Sequence, residues 1–128
     1  MRYLSGEEIL VINAKIIDET GGAHGIRDIG LFLSIIKKPE TTFDGKELYG
    51  GVFKKAVVYF ESLAKYHVFI DGNKRTAIGA TARFLFINGY EFIATNKEVE
   101  DFTLKVVSSK IDLENIAEWF EKNMRKKI

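Results

Sequence analysis

The sequence contains no cysteine. Disulfide staples, thiolate zinc sites and cysteine nucleophiles are thereby excluded, and a reducing compartment is the natural expectation. Proline is almost as scarce, since Pro39 is the only one in 128 residues and little interrupts helical periodicity. Neither charge is in excess: 19 Lys and Arg stand against 18 Asp and Glu, for a net charge of +1. That balance argues against a chain whose main task is gripping nucleic acid, where a strongly basic surface supplies the affinity. No hydrophobic run approaches the roughly 18 residues of a membrane span. The opening stretch from Met1 to Glu8 lacks the apolar segment of a signal peptide. The expectation is a soluble, cytoplasmic protein with no membrane and no direct nucleic-acid partner.

What is present is apolar material at helical spacing. Hydrophobic residues make up 46% of the chain, enough for one sizeable core, and the length suits a single domain over residues 1–128. Ser5 with Glu8 forms a capping box that opens a helix over Gly6–Thr20, closed by Gly21-Gly22. A second helix is expected from Asp28 to Lys37, stopped by Pro39. Residues 39–47 carry turn chemistry and no apolar period, which reads as an exposed loop or short hairpin. From about Glu47 to Tyr66, Phe53, Ala56, Val57, Phe60, Leu63 and Ala64 mark one helical stripe, which continues toward His67.

The segment from Ala77 to Ile87 is apolar nearly all round, as for a helix in the middle of a bundle, with Gly79, Ala80 and Ala82 allowing close approach. Thr95 with Glu98 caps a helix to about Ser108, and a last helix is expected from Leu113 to Arg125, leaving a solvated, frayed basic end. The fold class is all-α: a compact bundle of about six helices with a short loop or hairpin.

The chemistry concentrates in His67-Val-Phe-Ile-Asp-Gly-Asn-Lys-Arg75, between the amphipathic stripe and the buried helix. A helix N-terminus presents unpaired N–H groups and partial positive charge, which together bind anions. Gly72 removes a side chain where phosphate would meet backbone, Asn73 is a good N-cap residue, and Lys74 and Arg75 add cationic donors. Cations in a first helical turn oppose the helix dipole, so a bound anion is a reason to keep them there. Asp71 suits Mg²⁺, which takes one or two protein carboxylates plus phosphate oxygens and water. The His67 imidazole suits proton abstraction from a hydroxyl nucleophile, and Phe69 suits a buried anchor. Each residue taken singly has an ordinary reading as turn, cap or solvated pair. Their order is the one that phosphoryl or nucleotidyl transfer requires.

This stretch matches the Fic/Doc signature H-x-F-x-D/E-G-N-G/K-R at every defined position, and the chain resembles that family over roughly residues 3–120. Gly21-Gly22, Ile26-Arg27-Asp28, Leu48-Tyr49 and Thr76-Ala77 are similar to death-on-curing (Doc) members, the toxins of type II toxin–antitoxin pairs. The resemblance implies a Fic-fold bundle in which His67 is general base, Asp71 holds Mg²⁺, and Gly72, Asn73, Lys74 and Arg75 hold the phosphates of ATP. It also implies a flap over about residues 40–47, with Thr42, Phe43 and Asp44 at its tip, that lines up the target. Fic enzymes with glycine at the position of Lys74 transfer AMP. Doc members carry lysine there and are understood to present the γ-phosphate instead.

The implied activity is therefore phosphorylation of a Ser/Thr hydroxyl on a protein such as elongation factor Tu, arresting translation. AMP transfer, a catalytically silent binding module and, more distantly, a helix-turn-helix protein remain the alternatives. Val68 replaces the proline common after the histidine. The inhibitory pattern S/T-x-x-x-E-G/N has no match, Ser109 lying one residue too far from Glu114-Asn115. Restraint is then expected from a cognate DNA-binding antitoxin whose disordered tail folds on the toxin.

Overall fold

The computed structural model describes residues 1–127. It contains six α-helices: α1 (Gly6–Thr20), α2 (Ile29–Lys37), α3 (Val52–Lys65), α4 (Asn73–Ile87), α5 (Asn96–Ser108) and α6 (Leu113–Lys122). A 3-10 turn (Lys38–Glu40) and the hairpin β1 (Thr42–Phe43) and β2 (Lys46–Glu47) separate α2 from α3, while β3 (Tyr90–Phe92) and β4 (Met124–Lys126) form a second antiparallel pair. No helix among the described residues is long and apolar enough to cross a membrane.

The core forms around α3 packed on α4, with α1, α2, α5 and α6 around them. From Lys55 to Phe60 every residue of α3 is buried, so the stripe read from the sequence is one part of a helix enclosed on most sides. The α4 helix buries Thr76, Ala77, Ala80, Thr81, Phe84 and Leu85. Its other face is more open than its composition suggests, with Arg83 exposed and Phe86 44% exposed. Gly79 supplies the close approach expected of it: a Cβ there would stand 3.0 Å from Ile12 Cγ2 of α1. At the far end, Trp119 stacks on Phe102 at 4.0 Å, and Phe120 meets Phe60 edge to face at 5.2 Å.

Both capping boxes form as read, Ser5 with Glu8 and Thr95 with Glu98. Asp28 caps α2 from outside rather than opening it, its side chain accepting from the Leu31 N–H at 3.0 Å. Two boundaries differ more. The α3 helix starts at Val52, not near Glu47, because Gly50-Gly51 breaks the chain and Gly51 (φ 86°) serves as its N-cap. The last helix ends at Lys122, and Met124–Lys126 pairs with Tyr90–Phe92 instead of fraying. Met124 is buried there, and the pairing continues through Lys127 N–H to Gly89 O at 2.9 Å. Cross-strand contact overrides the helical tendency of a basic tail.

Between Pro39 and Glu47 the alternative of a hairpin is realised. Asp44 (φ 53°) and Gly45 (φ 76°) make a two-residue turn of the Asp-Gly kind, with Phe43 opposite Lys46. The tip is therefore Asp44-Gly45, while Thr42 and Phe43 belong to β1.

Candidate active site

The signature stretch is a loop that runs from the end of α3 to the start of α4. Tyr66 caps α3, and His67 follows with φ 49°, a left-handed conformation that ends helices and that histidine tolerates better than most residues. This turn takes His67 off the buried stripe of α3, which the sequence had extended to it, and leaves it exposed. Val68 and Phe69 then plunge inward, both buried, with the Phe69 ring edge-on to Phe32 at 5.8 Å. Phe69 is the anchor expected of it.

The α1–α2 connection clasps this loop along its length. Arg27 N–H donates to Val68 O at 2.7 Å, Ile70 N–H donates to Gly25 O at 3.1 Å, and Ile26 bridges to Phe69. The Arg27 guanidinium donates to the carbonyls of His67 (2.5 Å) and Tyr66 (3.1 Å). Arg27 thus holds the backbone that carries His67. His24, by contrast, pairs with Asp18 at 2.8 Å on the surface.

Asp71 is exposed, and one of its oxygens accepts the Ala23 N–H at 2.7 Å. Gly22 makes that approach possible, since a Cβ there would stand 3.0 Å from the Asp71 Cβ. No other protein donor engages the carboxylate among the described residues, so its second oxygen is open to a cation. No group of three or more potential metal ligands exists among those residues. A resident all-protein metal cage therefore does not fit, whereas Mg²⁺ carried in with phosphate oxygens and met by one carboxylate does.

The α4 N-terminus differs from the sequence reading in its cap. Gly72, not Asn73, is the N-cap, with φ 76°, and no side chain caps the helix. Asn73 instead closes the loop on itself: its Oδ1 accepts from Phe69 N–H at 2.9 Å and its Nδ2 donates to Phe69 O at 3.0 Å. The reason for glycine also changes. A Cβ on Gly72 would stand 3.0 Å from Ile17 Cδ1 and 3.4 Å from Asn13 Nδ2, so the side chain is removed for α1 as well as for the backbone turn. The helix thus begins with N–H groups that no side chain occupies, beside exposed Lys74 and Arg75. Neither cation has a carboxylate partner among the described residues.

His67, Asp71, Gly72, Asn73, Lys74 and Arg75 all line one open cleft of about 610 Å³, which Gly21 and Gly22 line as well. Thr42, Phe43 and Asp44 do not line it; they stand in the exposed hairpin, Phe43 at 77% exposure. One residue escaped the sequence reading altogether. Asn13, 3% exposed in α1, donates from Nδ2 to the Asp71 carbonyl and to Thr76 Oγ1, both at 3.1 Å. The signal was available: Asn13 is the polar member of the face marked by Ile9 and Ile17. Tyr66 is 45% exposed beside Lys38, and Tyr90 packs on Phe53 at 5.0 Å as a core contact.

An exposed imidazole, an open carboxylate and an uncapped, cation-flanked helix start in one cleft form an arrangement suited to moving a phosphate. The chain is 35% identical over 117 residues to a protein named Toxin Doc from Mycolicibacterium smegmatis, covering 90% of this chain and 88% of the relative. It is 29% identical over 118 residues to the protein named Protein kinase doc of Escherichia phage P1, covering 92% of each. The Fic/DOC family model matches residues 3–85, which takes in α1 through most of α4 and the whole cleft, and the chain belongs to the Fic/DOC family.

Proposed function

We propose that this chain is a Doc-type toxin that transfers the γ-phosphate of ATP to a serine or threonine hydroxyl of a protein. The observation that carries the reading is the α4 N-terminus: its first N–H groups are uncapped, and Lys74 and Arg75 stand beside them without carboxylate partners among the described residues. Such a helix start is an anion site, and two cations there add charge for a polyphosphate. The names of the two relatives support both halves of the reading, toxin and protein kinase.

His67 takes the proton of the target hydroxyl as its oxygen bonds to the γ-phosphorus. The bond from that phosphorus to the β–γ bridging oxygen breaks, and ADP departs with the electron pair. Lys74 and Arg75 offset the charge on the transferring group. Mg²⁺, held by the open oxygen of Asp71, would neutralise phosphate oxygens in the bound nucleotide. The Thr42–Phe43 and Lys46–Glu47 hairpin is the flap against which an extended target segment would lie. Elongation factor Tu is the target we propose, and a DNA-binding antitoxin the neutralising partner in the cytoplasm. An apolar cleft of about 310 Å³ along α4, lined by Ile16, Ile78, Gly79 and Val99 and reaching Arg75, supports a seat for an antitoxin segment beside the phosphate site.

The test is transfer from ATP labelled at either the α- or the γ-phosphate, with purified elongation factor Tu as acceptor. Label from the γ-position alone is expected, falling by roughly 10²–10⁴-fold in His67→Ala. Label from the α-position alone would mean AMP transfer and would overturn the kinase reading.

A further inference from the structure

Lys55 is fully buried in α3 at 0% exposure, and the reaction proposed above makes no use of it. An ammonium taken from water needs partners for its donors. Lys55 Nζ donates to the Pro39 carbonyl at 2.9 Å, lies 3.4 Å from Glu47 Oε1, and sits over the Tyr3 ring at 5.6 Å from its centroid. Two of those partners bracket the flap. Pro39 precedes β1, and Glu47 is the last residue of β2. Between them, residues 40–47 are all exposed, so their own side-chain burial does little to hold the flap against the bundle. The ladder and the Leu48 N–H to Thr41 O bond (2.9 Å) fix the shape of the hairpin, not its placement.

We propose that Lys55 is the positioning residue of the flap: its buried ammonium ties both feet of the β1–β2 hairpin to α3. The clamp sets where a protein segment laid on the hairpin stands relative to the His67 cleft. The catalytic consequence rests on the kinase reading; the clamp itself does not. The Lys55–Glu47 pair is buried on one side only, Glu47 being exposed, so its Coulombic gain is modest and the ammonium's buried bond is the one to the Pro39 carbonyl. Lys55→Met leaves the buried Pro39 carbonyl without its donor, the exposed Glu47 carboxylate to water, and the hairpin without its ammonium tether.

Hydrogen exchange of the full chain tests the clamp, comparing wild type with Lys55→Met and with Glu47→Ala, whose altered side chain lies on the surface. Amides of residues 41–48 are expected to exchange about tenfold faster in Lys55→Met and faster in Glu47→Ala, while α3 and α4 keep their protection. Unchanged exchange in the hairpin overturns the clamp, and Glu47→Ala decides alone should Lys55→Met fail to fold. With elongation factor Tu as acceptor, KM for the protein should rise about tenfold in Lys55→Met at an unchanged KM for ATP. A loosened hairpin with an unchanged protein KM overturns the positioning role. Absence of phosphate transfer by the wild type would sink the kinase reading, and the exchange measurement would still decide the clamp.

Discussion

Asn13 shows how much of the cleft depends on a single polar side chain outside it. Its amide donates to the Asp71 carbonyl and to Thr76, joining α1 to both ends of the turn that starts α4. Removing it leaves the part-buried Asp71 carbonyl and the buried Thr76 hydroxyl short of a donor, a loss of about 1–3 kcal/mol. Asn13→Ala is therefore expected to melt several degrees lower and to lose transfer activity, because the Asp71 backbone is no longer pinned. Thermal melts and initial rates check this, and wild-type values in both would sink the role. The motif residues were legible from spacing alone, since His67, Asp71, Lys74 and Arg75 fall within one short stretch. Asn13 was not, because its partners lie 58 and 63 residues away in the chain.

At the scale of elements, the junction between the loop and α4 is held by the absence of a side chain. Gly72 has φ 76°, and an added methyl would stand 3.0 Å from Ile17 Cδ1. The left-handed conformation costs a non-glycine residue about 1–2 kcal/mol, and the crowding against α1 adds to it. Gly72→Ala is expected to lower the denaturation midpoint accordingly and to weaken ATP binding by shifting the N–H groups of Asn73, Lys74 and Arg75. Chemical denaturation and nucleotide titration measure the two effects, and a midpoint at or above wild type would contradict the argument. The ends of α1, α2 and α5 were readable because Ser5, Asp28 and Thr95 act locally. The β3–β4 pair was not, because Met124–Lys126 becomes a strand only where Tyr90–Phe92 offers it an edge.

For the whole molecule, Tyr59 couples stability to alkaline pH. Burial pushes its hydroxyl up to about 12 from an ordinary 10.0, opposed by the hydrogen bond from the Leu4 N–H. Below pH 10 the group is neutral in both folded and unfolded chains and exerts no pH dependence. Above it the unfolded chain loses the proton first, so stability falls by about 1.4 kcal/mol per pH unit until the folded-state value near 12 is passed. Denaturant midpoints measured from pH 9 upward should show this decline, and Tyr59→Phe should flatten it. An equal slope in Tyr59→Phe would assign the effect to other groups.

The sequence by itself determined the helical class, the capped starts of α1, α2 and α5, and the identity of the signature stretch. Those features rest on local physics: apolar period, capping side chains, and functional groups packed into adjacent positions. The tertiary structure decided how the stretch is used. It turned His67 off the stripe of α3, gave the N-cap to Gly72 rather than Asn73, and brought Ala23, Arg27 and Asn13 onto the loop from a distant part of the chain. It also set Lys55 between the feet of the flap. Most of those outcomes depend on contacts between separate elements of the fold, which only the packed bundle specifies.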